Sequence, residues 1–233
     1  MIPDRPAIID LPSPNHGPRP PGTLIDILLV HYTGMPDAAQ ALDRLRDPAS
    51  QVSAHYLIDE DGTLIRLVAE QRRAWHAGLS WWRGARDINS RSIGIELVNP
   101  GHDWGYRSFP AAQMAGFVAL ARDIMARHGI TAGGVIGHSD VAPDRKRDPG
   151  EQFDWAALAG HGIGLWPQPD AGDDGPWTEA ELRDLLGRIG YRPVLDPALL
   201  VAAFQRHWRP DAVTGQVDAD TARRIRALAR IVA

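Results

Sequence analysis

Two histidines and one aspartate in this 233-residue chain have the types and the setting to meet at a metal ion. His138 follows the apolar pair Val135-Ile136, and Asp148 lies ten residues further along the loop Ser139-Asp140-Val141-Ala142-Pro143-Asp144-Arg145-Lys146-Arg147. Pro143 and Pro149 stiffen that loop by fixing their backbone angles. His31 ends another apolar run, Ile25-Asp26-Ile27-Leu28-Leu29-Val30. Both histidines therefore close β-like runs, where an α/β sheet carries its functional groups. Two His and one Asp, with a fourth position left to water, make a ligand set for catalytic zinc. Taken singly, each of the nine histidines is equally compatible with a packed or solvated residue, because no HExxH or CxxC fixes the geometry locally.

Two further stretches hold residues that could act beside such an ion. Ser92-Ile93-Gly94-Ile95-Glu96-Leu97-Val98 places an acid inside an apolar strand, which serves either a solvated outer face or chemistry. Ala74-Trp75-His76-Ala77-Gly78-Leu79-Ser80-Trp81-Trp82-Arg83-Gly84 has neither helical nor strand period. Its three tryptophans and histidine suit a binding wall, though tryptophan also plugs cores.

These groups need elements to position them. Residues 23–31 read as a buried central strand, Val/Ile/Leu-dense on both faces. Residues 36–46 read as a helix with Pro36 in its first turn. Residues 53–58 and 63–68 flank Asp59-Glu60-Asp61-Gly62, whose Asp-Gly step suits a hairpin. The clearest helix is 110–128, with Met114, Phe117, Leu120, Ala121, Ile124 and Met125 along one face and Gly129 as its stop. Residues 135–138 form a short strand, and the proline-rich segment 12–22 reads as an extended arm over the domain. The expected fold is α/β, a mixed central β-sheet flanked by helices. Residues 167–176 read as a linker, and a small three-helix unit follows. Its helices start at Thr178 with Glu181 as a capping box, at Asp196-Pro197 and at Asp218. The division is 1–166, 167–176 and 177–233.

Composition narrows the function. The 44% hydrophobic and 23% charged content is that of a globular protein. A net charge of −4 and a pI near 6.1 give no reason to expect nucleic acid. The absence of cysteine removes disulfides, thiolate catalysis and Cys-ligated zinc. No apolar run approaches a membrane span, and the first ten residues lack the pattern of a signal peptide. The expected location is cytoplasmic; a periplasmic enzyme trimmed of its leader would look the same.

The segments Leu29-Val30-His31-Tyr32-Thr33, Val52-Ser53-Ala54-His55-Tyr56-Leu57-Ile58, Ser92-Ile93-Gly94-Ile95-Glu96-Leu97 and Gly137-His138-Ser139-Asp140-Val141-Ala142-Pro143 through Lys146 and Asp148 together resemble the type 2 zinc-dependent N-acetylmuramoyl-L-alanine amidases. That family shares its fold with phage T7 lysozyme and the peptidoglycan recognition proteins. The resemblance spans roughly residues 12–165. It implies that His31, His138 and Asp148 bind Zn2+, that Glu96 transfers the proton and that Lys146 stabilises the oxyanion. It also implies hydrolysis of the amide between N-acetylmuramic acid, or its 1,6-anhydro form, and L-alanine of peptidoglycan or muropeptides. Trp75, His76, Trp81, Trp82 and Arg86 are candidates for substrate binding, and His55 for support behind the metal or for packing. Arg145 and Arg147 read as solvated charges. Ala54 departs from the tyrosine common at its position, which shifts the acid–base work onto Glu96. The C-terminal unit resembles a three-helix peptidoglycan-binding domain, in which Trp208 and Arg209 face either ligand or core. Two other readings share the metal: a muropeptide-binding protein with structural zinc, and a zinc peptidase cutting between stem-peptide residues.

Overall fold

The computed structural model describes residues 7–232. Its eight strands are β1 (Ile8–Asp10), β2 (His16–Pro18), β3 (Ile27–Tyr32), β4 (Tyr56–Ile58), β5 (Leu64–Arg66), β6 (Arg72–Ala74), β7 (Ser92–Leu97) and β8 (Val135–Gly137). Six of them form one mixed sheet in the order β1-β5-β4-β7-β3-β8. Only the β4–β5 hairpin within it is antiparallel; β4–β7, β7–β3 and β3–β8 are parallel. Gly62 takes φ +89 at the hairpin turn, as its Asp-Gly step suggests. The helices are α1 (Ala38–Arg46), α2 (Ile88–Arg91), α3 (Gly101–Trp104), α4 (Ala111–His128), α5 (His138–Val141), α6 (Trp155–Gly160), α7 (Glu179–Ile189), α8 (Pro197–Trp208) and α9 (Ala219–Ile231). None of the helices among the described residues is long and apolar enough to cross a membrane.

Alternation along the central strands divides the side chains between two layers. Leu28 and Val30 of β3 with Ile93, Ile95 and Leu97 of β7 pack under Phe117, Leu120, Ala121 and Ile124 of α4. The stripe expected on 110–128 is thus the buried one, with Met114 and Met125 at its margin. Buried Gln113 of α4 adds a polar tie, donating its amide to the carbonyls of Ile58 and Val98. On the opposite face, Ile27, Leu29 and Ile136 join one apolar cluster with Trp82, Val141 and the inner faces of α7, α8 and α9.

The proline-rich arm does more than lie extended. His16–Pro18 pairs antiparallel with Arg72–Ala74 in a separate two-stranded sheet. Arg19 then reaches inward, donating to the carbonyls of Glu70, Asn89, Ser90 and Ser92, with one nitrogen 2.9 Å from His55 Nε2. The four carbonyls take up most of the fork of its guanidinium.

The C-terminal helices begin at caps the sequence signals. Thr178, Asp196 and Asp218 each accept a backbone N–H of the following turn. The segment 167–176 is pinned by α9, where Arg226 donates to the carbonyls of Asp173, Gly175 and Pro176 and Arg230 pairs with Asp170 and Asp173. Trp208 is buried and donates its indole N–H to Leu165 O; Arg209 pairs with Asp218 and Asp220.

Candidate active site

Register alone brings three functional residues into a row. His31 of β3 is directly opposite Glu96 of β7, and Val30 is opposite Gly137, so His138 emerges beside His31. All three leave the C-terminal ends of adjacent parallel strands, outside which α/β sheets bind ligands. His31 and Glu96 share the face away from α4, as the alternation of β3 and β7 demands. The loop after α5 returns Asp148 to the same point, and the backbone N–H of Ser139 holds the Asp148 carbonyl at 2.8 Å.

The three side chains converge tightly. His31 Nδ1 and His138 Nδ1 are 2.9 Å apart, and Asp148 Oδ2 is 3.0 and 2.9 Å from them. All three residues are buried. The outward nitrogens identify the tautomers. His138 Nε2 is 3.1 Å from the carbonyl of Ala77, an acceptor that requires N–H there and leaves Nδ1 bare. Ser92 Oγ donates to Ile88 O and so can accept from His76 Nε2 at 3.4 Å, which leaves His76 Nδ1 to accept the proton of His31 Nε2 at 3.0 Å. Two imidazole lone pairs and a carboxylate oxygen therefore point at one another, an arrangement that suits a shared cation. Burial, then the neighbouring His138, pulls the His31 pKa down to about 4, so the ring stays neutral and able to ligate. Burial alone would raise the Asp148 carboxyl, but His138 and His31 outweigh it and hold it well below the usual range.

Glu96 lies at the floor of the same cleft. Burial, reinforced by the charge of Asp148 and opposed by Lys146, pushes its carboxyl well above the usual range. Its Oε2 is buried without a hydrogen-bond partner among the described residues. Lys146 lines the cleft, and among the described residues its side chain makes no hydrogen bond or ion pair. The cleft, about 320 Å³, continues past Tyr32, Trp75 and His76 towards Arg44 and Val52.

The remaining sequence candidates separate into groups. Trp75 and His76 line the same cleft as His31, His138 and Asp148. His76 is packed so closely on Gly94 that a Cβ there would lie 2.5 Å from its ring, which requires glycine at 94. Trp81 and Arg86 stack at 5.7 Å in an adjoining groove that shares Arg145 with the cleft. Trp82 lies in the core, packed edge-on against Tyr191. His55 is behind the site, its Nδ1 accepting from Gly94 N and its Nε2 facing Arg19 and the Arg72 carbonyl. Arg145 is exposed, as expected, and its guanidinium also donates to the carbonyls of Ala77 and Leu79, which fixes the loop that holds His138. Arg147 pairs with exposed Asp103. Sequence reasoning passed over Tyr32, although it adjoins His31; its hydroxyl is 2.8 Å from His102 Nδ1, and His102 Nε2 faces Glu151.

Residues 21–151 match the N-acetylmuramoyl-L-alanine amidase family. The chain belongs to the N-acetylmuramoyl-L-alanine amidases. Among its relatives is the N-acetylmuramoyl-L-alanine amidase AmiD of Escherichia coli, 40% identical over 222 residues, covering 84% of this chain and 79% of that one. The 1,6-anhydro-N-acetylmuramyl-L-alanine amidase AmpD of Salmonella typhimurium is 35% identical over 91% of its own length, but covers only 66% of this amidase. Among solved structures, AmiD of E. coli in complex with anhydro-N-acetylmuramic acid-L-Ala-D-gamma-Glu-L-Lys superposes with TM-score 0.80 at 38% identity, covering 91% of this chain and 92% of that one. AmpDh3 of Pseudomonas aeruginosa in complex with anhydromuramic pentapeptide gives TM-score 0.83 at 34% identity, covering 91% and 94%.

Proposed function

We propose that this amidase hydrolyses the bond between the lactyl group of N-acetylmuramic acid, including its 1,6-anhydro form, and L-alanine, using zinc held by His31 Nδ1, His138 Nδ1 and Asp148 Oδ2. The observation that supports it is the 2.9–3.0 Å triangle of bare donor atoms with the unpartnered Glu96 oxygen at its side. A His-His-Asp set with one open position fits zinc among common divalent ions. Bound there, zinc would supply a water acidified to a pKa of ~7 and would polarise the scissile carbonyl.

The chain's own groups complete the reaction. Glu96 takes the proton of the attacking water and returns it to the departing amine of L-alanine. Its raised carboxyl suits both halves of that exchange, since the group must release the proton it accepts. Lys146 sets an ammonium beside the oxyanion that forms as water adds to the carbonyl. Trp75 borders the cleft as an apolar wall for sugar or peptide. The division we propose along the chain is a catalytic unit over 1–166, a connector over 167–176 and a three-helix unit over 177–233.

The deciding experiment is product mass spectrometry on anhydro-muropeptide with wild type and Glu96→Ala. Wild type is expected to release intact stem peptide and sugar. Glu96→Ala should keep its zinc and lose about 100- to 10,000-fold in kcat. Near-normal turnover by that variant would overturn the acid–base assignment. Cleavage inside the stem peptide would overturn the bond assigned.

A further inference from the structure

Asp140 belongs neither to the metal triangle nor to the acid–base pair, yet its carboxylate is fully buried and takes three donors. Gly137 N–H donates to Oδ2 at 2.8 Å, Tyr191 Oη to Oδ1 at 2.6 Å, and His207 Nδ1 to Oδ2 at 2.7 Å. A buried carboxylate persists only when such donors replace its water. Two of the three come from beyond the connector: Tyr191 follows α7, and His207 is on α8. The third caps the N-terminus of α5, whose first residue is His138. That same turn supplies the N–H that holds the Asp148 carbonyl. A bond made by the helices thus ends two residues from one metal ligand and fixes the turn that carries both.

A second contact reinforces it. The His207 ring is sandwiched between Trp155 and Trp208, with centroids 3.8 and 3.7 Å away and planes tilted 20° and 5°. Trp155 in turn closes on Gly137, where a Cβ would lie 3.5 Å from the indole. His207 Nε2 has no hydrogen-bond partner among the described residues, so its Nδ1 contact with Asp140 is the polar one that orients the ring.

We propose that Asp140 is a positioning residue for the metal ligand His138, and that Tyr191 and His207 hold it in place, making the three-helix unit a buttress of the catalytic centre. This rests on the metal reading given above.

The test uses the full chain carrying Tyr191→Phe or His207→Phe, with Ile225→Val, in the core of the helical unit, as a control for destabilisation. Metal affinity is read by competition with a chelating dye, alongside kcat, KM and Tm. Outer-shell substitutions next to a ligand cost about 10- to 100-fold in affinity, so one bond further away the expected weakening is roughly 3- to 10-fold. kcat should fall with KM unchanged, while Ile225→Val lowers Tm and leaves metal affinity alone. Should His207→Phe fail to fold, Tyr191→Phe decides. Metal affinity and kcat within twofold of wild type in the folded variants would overturn the proposal, as would an equal loss in the control. A His31→Ala chain that binds metal like wild type would overturn the metal reading itself and this proposal with it.

Discussion

His76 touches His31 through the nitrogen that faces away from Asp148, which gives it work distinct from the substrate contact its tryptophan-rich loop suggests. Its ring leaves His31 one orientation and one tautomer, and Gly94 leaves the ring only one place to sit. Replacing His76 by Phe keeps most of that packing and removes the nitrogen. The expected outcome is about 10- to 100-fold weaker zinc binding by chelator competition, with Tm lowered only modestly. Unchanged affinity would mean that packing alone orients His31. At this scale His31, His138 and Glu96 stood out because each closes or interrupts an apolar run, and Asp148 because two prolines stiffen the loop that carries it. The contact of His76 with His31 and the place of Asp140 did not, because those partners lie far off in the chain and no local period marks them.

Elements long enough to show a period were legible: β3, β7 and α4 follow the apolar patterns that signal them. The three-residue strands β1, β2 and β6 were not, since each depends on a distant partner and β2 ends in a proline that only an edge tolerates. One tie between elements escapes pattern altogether. Glu70, ahead of β6, accepts from Tyr56 Oη and is paired with Arg127 and His128 at the C-terminus of α4. Burial works against this carboxylate, but Arg127, His128 and Tyr56 outweigh it and bring its pKa from 4.5 to about 2. A depressed carboxylate stabilises the fold fully above its unfolded value of 4.5. That contribution disappears as pH falls from 4.5 through about 2. Glu70→Gln should therefore cost about 3 kcal/mol near neutral pH, the scale of a broken buried pair, in chemical denaturation. The gap between variant and wild type should narrow below pH 4.5. A gap that widened on acidification would refute this assignment.

Across the whole molecule, the change of composition near 167–176 precedes α7, α8 and α9, but composition does not say how those helices pack on the sheet. The apolar cluster that includes Ile27, Leu29 and Ile136 from the sheet also includes Leu186, Phe204 and Ile225 from the helices. Units that share a core lose it together. Calorimetry of the full chain should give one transition, with calorimetric and van't Hoff enthalpies in agreement. Two separable transitions would show that the shared cluster does not couple them.

The seat of Arg19 has a consequence for the order in which this protein assembles. The arm is synthesised before its partners, since its guanidinium docks on carbonyls at 70, 89, 90 and 92, which follow Arg19 by 51 to 73 residues. Closing so long a loop has an entropic cost that only a formed β7 edge and α2 turn can offset. The arm is therefore expected to latch after the sheet has condensed, so Arg19→Ala should speed unfolding more than it slows folding in stopped-flow denaturation.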